Sequence, residues 1–306
     1  VTTSSRSART SEEIPGGRDL ALLDTQYVVP EEEIENLHAH GWARLPGLLH
    51  AEVVSELRER LAAEPLRPLD ALGKSYRRVG PGAPASADAE PVQFLDHELD
   101  SKHNQNHEGM AWRNDFFRRV GTSRRVAGTA VQLMRRERAV FIQDISFFKP
   151  GGGGSPTAMH QDYASWPFDR KGAITIWIAL VDVAENMGPL AYLEDSHLEG
   201  PLGLAGKLDV RATYPHLADS KVVAGKALKA GDAQVHWDLT VHGAGPNESD
   251  MVREAYLTRF TGADVIYNGI GHPHYNTLGL QIGQPLGDNP AFPLVGHDGE
   301  IARESV

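Results

Sequence analysis

The chain of 306 residues contains no cysteine. That absence removes disulfides, thiolate zinc sites, iron–sulfur clusters and thiol nucleophiles together, so any metal must be held by His, Asp or Glu. Long apolar runs are missing too. The longest, Ala173 to Val183, falls well short of the roughly 20 residues that span a bilayer. The segment VTTSSRSART has no apolar stretch of the kind that directs secretion, and the expectation is a cytoplasmic protein with no membrane association. Positive charge is scarce: 30 Lys and Arg face 41 Asp and Glu, a net charge of −11. The basic pieces Arg77-Arg78 and Arg135-Arg136 are too short to offset this, which argues against a nucleic-acid partner. Aromatic residues make up only 7%, yet 41% of the chain is hydrophobic, enough to bury a core.

What is present divides into a helical part and a strand-rich part. Residues 1–17 are rich in Ser, Thr, Arg and Gly and read as a flexible tail. Residues 18–306 read as a single domain, helix-rich over 30–137, a barrel core over about 138–262, and a C-terminal segment 263–306 of undetermined role. PEEEIENLHAHG has Pro30 and three acids at a helix start and Gly41 at its stop. Trp42 to Leu45 read as a strand. AEVVSELRERLAAE spaces Val53, Val54, Leu57 and Leu61 as one helical face, and Trp112 to Met134 read as helix. Gly80 to Pro91 and the polar run SKHNQNHEG (Ser101 to Gly109) read as surface loops, the second open to a lid role. From Ala139 the period changes. AVFIQDISFFK, AITIWIALVDV, LAYL, KVVAGKAL, DAQVHW and REAYLTRFT alternate and are β-branched, separated by turn residues. Helices followed by strands predict a mainly β fold, a sheet sandwich or barrel with helices packed outside.

Residues i and i+2 of a strand share a face, so His160-Gln161-Asp162 can offer an imidazole and a carboxylate to one ion. With 14 His and 41 acidic residues, chance supplies about two such His-x-acid triplets, so the spacing alone decides nothing. There are four: His50/Glu52 and His197/Glu199, which read as solvated surface, His160/Asp162, and His236/Asp238. The last competes, because His242 follows it closely and three donors then lie within seven residues. What favours His160 is a distal third ligand. Non-haem iron takes two imidazoles and one carboxylate on one face, leaving positions open, and His242 is such a ligand. Eleven residues on, Arg253 opens a strand, where a guanidinium fork can grip the far carboxylate of a chelating 2-oxo acid.

MHQDYASWPF, WIALVDVAENMGPLAYLEDSH and HGAGPNESDMVREAYL resemble, in order and spacing, consecutive motifs of the phytanoyl-CoA dioxygenase (PhyH) family. The similarity runs from about Phe147 to Phe260, with a weaker echo in GWARLPGLL. The resemblance implies a double-stranded β-helix, a jelly-roll of cupin-like type, and an enzyme using Fe(II), 2-oxoglutarate and O2. It makes His160, Asp162 and His242 the metal ligands and Arg253 the anchor of the 2-oxoglutarate C5 carboxylate, the family's H-x10-R spacing being kept. Arg259 shares the strand parity of Arg253 and is the competing anchor.

By the same resemblance Gln143, Lys149 and Trp177 line the co-substrate pocket. Asn186, Gly188 and Pro189 match a structural turn, and Asn247 and Ser249 brace the segment after His242. Related halogenases lack the carboxylate that Asp162 supplies, so hydroxylation of a C–H bond is the expected outcome, with release of succinate and CO2. Tyr163, Trp166 and Phe168 follow the metal motif and read either as an aromatic substrate wall or as core. The −11 charge disfavours an acyl-CoA and points to a small metabolite or natural-product intermediate. His272 and His274 form an HxH pair read as surface loop, and composition leaves the oligomeric state open.

Overall fold

The computed structural model describes residues 20–63, 105–202, 209–271, 275 and 278–301. The tail at 1–17, the stretch from Gly80 to Pro91, Arg77-Arg78, and His272 and His274 lie outside them. Near the amino end two helices, α1 (Glu31–His40) and α2 (Ala51–Ala63), flank strand β1 (Trp42–Leu45). Helix α1 ends where expected: Gly41, at φ 88°, takes the left-handed conformation and its N–H caps Leu37 O, a backbone geometry that disfavours any side chain.

The run from Trp112 to Met134 is two helices, α3 (Asp115–Thr122) and α4 (Val126–Leu133), instead of one. Ser123 breaks it with an extended backbone, and its hydroxyl accepts from Val126 N. SKHNQNHEG differs from expectation as well. Gln105–Glu108 form strand β2, paired with β3 (Ala139–Lys149). His107 is buried while Asn106 and Glu108 are exposed. The alternation is that of a strand, but its polar composition hid it.

The remaining strands are β4 (Thr157–His160), β5 (Ile174–Ala179), β6 (Leu190–Leu193), β7 (Val222–Val223), β8 (Ala233–Trp237), β9 (His242–Ala244), β10 (Arg253–Gly262), β11 (Leu294–Gly296) and β12 (Gly299–Glu300). They form two antiparallel sheets, one ordered β1-β8-β5-β10-β3-β11-β12 with β2 also on β3, the other β4-β9-β6-β7. The fold is thus mainly β, a jelly-roll with flanking helices. Part of the C-terminal segment adds β11 and β12 to the larger sheet. Among the described residues no helix is long and apolar enough to cross a membrane.

Strand β5 is apolar except for Thr175, and both its faces are buried. Ile174, Ile176 and Ile178 join the core under the helices, with Leu37, Leu57, Phe117 and Val131. Trp177 and Ala179 face the space between the sheets, with Ile145, Tyr192, Ala255 and Leu257. A carboxyl group is buried on the helix-covered side of the sheet. Asp144 of β3 accepts from Ala111 N at 3.1 and 3.2 Å and from the Tyr256 hydroxyl at 2.9 Å, and burial pushes its carboxyl up to about 6.

Candidate metal centre

His160 closes β4 and His242 opens β9, and the two are direct cross-strand partners with ring centroids 4.4 Å apart. Asp162 follows at the start of a short 3-10 turn, Asp162–Ser165. Gln161 points the other way. Its amide donates to Gly200 O and Leu239 O and accepts from Leu202 N, so the side chains on either side of it share the opposite face. The i, i+2 pattern therefore delivers both donors to one place.

Asp162 Oδ1 lies 3.8 Å from His160 Nε2 and 4.0 Å from His242 Nε2. One ligand atom from each of the three residues falls within 4.8 Å of the others, and among the described residues no other group of His, Asp and Glu does so. Each imidazole is already oriented for coordination. His160 Nδ1 is 2.8 Å from Ala158 O and His242 Nδ1 is 2.9 Å from Thr240 O. A carbonyl only accepts, so both Nδ1 atoms carry the proton and both Nε2 lone pairs are left for an ion. Burial, with the imidazoles of His236 and His160 beside it, holds His242 well below the ordinary histidine range, as a neutral ligand requires. Two neutral nitrogens and one carboxylate oxygen suit Fe(II).

Asp162 rests on the larger sheet. Its Oδ1 accepts from Arg259 Nη2 at 3.1 Å and its Oδ2 from the Thr175 hydroxyl at 2.8 Å. Burial alone would push its carboxyl up, but the Arg259 guanidinium and the imidazoles of His236 and His242 hold it well below the usual carboxylate range. His236, of the competing triplet, lies in this neighbourhood: its Nε2 is 3.6 Å from Asp162 Oδ2, and its ring lies tilted against that of His242, with centroids 3.9 Å apart. Asp238 does not accompany it. That carboxylate accepts from Gly172 N at 3.0 Å and Ala173 N at 3.2 Å, and burial pushes it up to about 7. The structure therefore divides the triplet, placing His236 beside the cluster and the Asp238 carboxylate on the backbone that leads into β5.

A second feature lies farther along the same sheet. Arg253 and Lys149 are cross-strand partners, 2% and 0% exposed, and among the described residues neither has a carboxylate partner. Arg253 donates to Gly188 O, its guanidinium sits 5.2 Å over the Trp177 ring, and its Nε has no partner. Lys149 donates to Gly245 O at 2.7 Å. Burial lowers Arg253 to about 10, and burial with the neighbouring guanidinium lowers Lys149 to about 7. Two desolvated cations without an anion are costly, and an incoming dianion would relieve them. Trp177 stands two residues along β5 from Thr175, about 7 Å at roughly 3.3 Å per residue. The Asn247 amide, which donates to Lys149 O and Met251 O, ties the loop after β9 to the strand ends that carry both cations.

The other residues singled out from sequence fall in several places. Gln143 lies beside Arg259 and Glu108, away from the cation pair. Trp166 lies 5.4 Å from the Arg259 guanidinium. Phe168 is 2% exposed and packs on Tyr275, and Tyr163 is half-buried. Sequence reasoning passed over Thr175 and Glu108. Thr175 carried a signal, being the hydroxyl at inward parity with Trp177 in ITIWIA, whereas Glu108 carried none once its strand had been read as a loop.

The family model described as Phytanoyl-CoA dioxygenase (PhyH) matches residues 37–255. A probable alpha-ketoglutarate-dependent hypophosphite dioxygenase of Stutzerimonas stutzeri is 29% identical over 127 residues, 38% of this chain and 43% of that protein. The chain spans about half the length of the curated relatives it matches. Among solved structures, the epimerase SnoN in complex with Fe3+, alpha ketoglutarate and nogalamycin RO is 26% identical, with a TM-score of 0.65 covering 86% of this chain and 97% of that one. The carbocyclase SnoK from nogalamycin biosynthesis, 23% identical, has a TM-score of 0.64 over 87% and 96% of the two chains and shares the fold.

Proposed function

Since the chain belongs to the phytanoyl-CoA dioxygenase (PhyH) family of Fe(II)- and 2-oxoglutarate-dependent oxygenases, we propose that it oxidises an unactivated C–H bond of a small metabolite or natural-product intermediate. Fe(II) and 2-oxoglutarate are the cofactor and co-substrate. Together with O2 they supply, when bound, oxidation of a C–H bond coupled to conversion of 2-oxoglutarate to succinate and CO2. In the simplest outcome R–H, O2 and 2-oxoglutarate give R–OH, succinate and CO2.

The observation that carries the reading is the pairing of an N,N,O donor set with an anion-free cation pair one short molecule away. His160, Asp162 and His242 would hold the metal through Nε2, one carboxylate oxygen and Nε2. Arg253 and Lys149 would take the far carboxylate, with Trp177 as the wall beneath it. Burial excludes water from that end, so each charge-assisted hydrogen bond there gains strength. Gln143 we assign to Arg259 rather than to the co-substrate. Of the three aromatics after the metal motif, half-buried Tyr163 is the one we place against substrate; Phe168 serves the core.

Epimerisation or ring closure is the second reading. It is favoured by the likeness to SnoN, an epimerase, over 86% of this chain, and begins from the same hydrogen removal. The test is an anaerobic titration with Fe(II) and then 2-oxoglutarate, followed by the weak visible band of a chelated 2-oxo acid. The band should appear in wild type and in His236→Ala and vanish in Asp162→Ala. Iron binding with no band on adding 2-oxoglutarate would sink the oxygenase reading and favour another metal enzyme on the same barrel. Products formed from candidate substrates then separate hydroxylation, epimerisation and ring closure by mass and stereochemistry.

A further inference from the structure

Gln143, Arg259, Thr175 and His236 are successive cross-strand partners on β3, β10, β5 and β8. They make one transverse row of the larger sheet, and Asp162 sits on it. We propose that Arg259 is a positioning residue that fixes Asp162 for metal binding, and not a 2-oxoglutarate anchor. The inference rests on the assignment of His160, Asp162 and His242 as the iron site.

Strand parity does not distinguish Arg259 from Arg253; their surroundings do. All three nitrogens of the Arg259 guanidinium are engaged: Nε with Thr175 Oγ1 at 3.3 Å, Nη1 with Gln143 Oε1 at 3.2 Å and Nη2 with Asp162 Oδ1 at 3.1 Å. The Trp166 ring lies 5.4 Å from it. Three of its five N–H donors, Nε among them, are thus committed to protein partners, one of them the Asp162 carboxylate, whereas Arg253 has no carboxylate partner among the described residues and keeps an unpartnered Nε. The row is also directional. Gln143 donates from Nε2 to Glu108 Oε2 at 3.3 Å, which settles which end of the amide meets Arg259 and leaves its only acceptor for the guanidinium. Thr175 donates to Asp162 Oδ2 from the other side. The carboxylate is thus held by both oxygens, with Oδ1 toward the two Nε2 atoms.

Arg259→Gln, Arg259→Lys and, for contrast, Arg253→Gln test this, each first checked for fold by circular dichroism and thermal melting. Mn(II) binding is followed by the EPR signal of the free ion, and 2-oxoglutarate binding by the visible band at saturating Fe(II). Arg259→Gln should weaken Mn(II) binding by about 10- to 100-fold, the usual loss when a ligand's supporting partner is removed, while the 2-oxoglutarate Kd moves by less than about threefold. Arg259→Lys, which keeps the charge but not the fork, should recover part of the metal affinity. Arg253→Gln should do the reverse, sparing metal and losing co-substrate. If Arg259→Gln does not fold, Gln143→Ala withdraws one support of the guanidinium and should weaken Mn(II) by about two- to fivefold. Unchanged metal affinity in Arg259→Gln, or in Gln143→Ala if Arg259→Gln does not fold, or an Arg259→Gln loss of 2-oxoglutarate as large as that of Arg253→Gln, overturns the proposal. A wild-type protein that binds no Mn(II) overturns the iron site first, and this inference with it.

Discussion

Replacing Arg253 by Met keeps an unbranched apolar stem over Trp177 and removes a guanidinium that is 2% exposed and has no anionic partner among the described residues. Two effects of opposite direction follow. With co-substrate present, truncating one partner of a buried, hydrogen-bonded charge pair costs about 2–5 kcal/mol. Lys149, its cross-strand partner, stays to hold part of the carboxylate, so the lower end applies. About 2–3 kcal/mol corresponds to a 2-oxoglutarate Kd raised about 30- to 160-fold, at 1.36 kcal/mol per factor of ten. Without co-substrate the variant loses a desolvated charge along with its contacts to Trp177 and Gly188 O. The contacts are worth about 1–2 kcal/mol and the charge costs at least as much, so the free protein should melt no lower than wild type. The assay is the anaerobic titration at saturating Fe(II), paired with thermal melts with and without 2-oxoglutarate. A Kd within about threefold of wild type would refute the assignment of the anion pocket. A strongly lowered melting temperature in the free protein would show that Arg253 is a structural ion and not a waiting anchor.

Lys149, lowered to about 7 by burial and Arg253, should make 2-oxoglutarate bind more tightly at pH 6 than at pH 8, because the dianion needs the ammonium; Lys149→Met should flatten that dependence in the same titration. Between pH 7 and its ordinary 10.5 the unfolded chain binds the extra proton, so this group's cost to the fold is full below about pH 7 and falls as pH rises. Asp144, raised to about 6 from an ordinary 3.8, acts in the other direction: its contribution is full below about pH 3.8 and is lost as pH rises through 6. Asp144→Asn, keeping an acceptor for Ala111 N, should therefore stabilise the protein at pH 8 by up to about 3 kcal/mol and not at pH 3.5, as read by urea melts; equal effects at both pH values would refute this. Gly188 holds φ 66°, and a Cβ there would meet Gly245 O and, at 2.8 Å, Pro246 O. Gly188→Ala should shift the carbonyl that Arg253 donates to and raise the 2-oxoglutarate Kd several-fold, with Mn(II) binding unchanged.

Much of the barrel was legible because its strands alternate and its turns are marked, and the three metal donors because their spacing matched a family pattern. What escaped has a common physical origin. Strand β2 is polar, so a hydrophobic-period reading saw a loop, and Glu108 went with it. The helix break at Ser123 depends on a local hydroxyl contact that no period reveals. Parity on β10 allowed both Arg253 and Arg259 to face inward; which of them meets Asp162 is fixed by register with β5 and β3, a long-range property. Register also explains His236. Its cross-strand pairing with Thr175 brings it next to Asp162, while Asp238, two residues later, is diverted by the backbone N–H groups of Gly172 and Ala173.

The row beneath Asp162 is assembled from residues 143, 175, 236 and 259, drawn from across more than a hundred positions of chain. Pairings of such sequence separation carry a high loop-closure cost and form late in folding. No fragment of the nascent chain short of β10 contains Arg259, and the two imidazoles meet only when β4 and β9 are in register. On the proposed ligand assignment, metal capture is therefore expected only after both sheets close, folding first and iron loading second, unlike small metal-nucleated domains, in which the ion drives the fold.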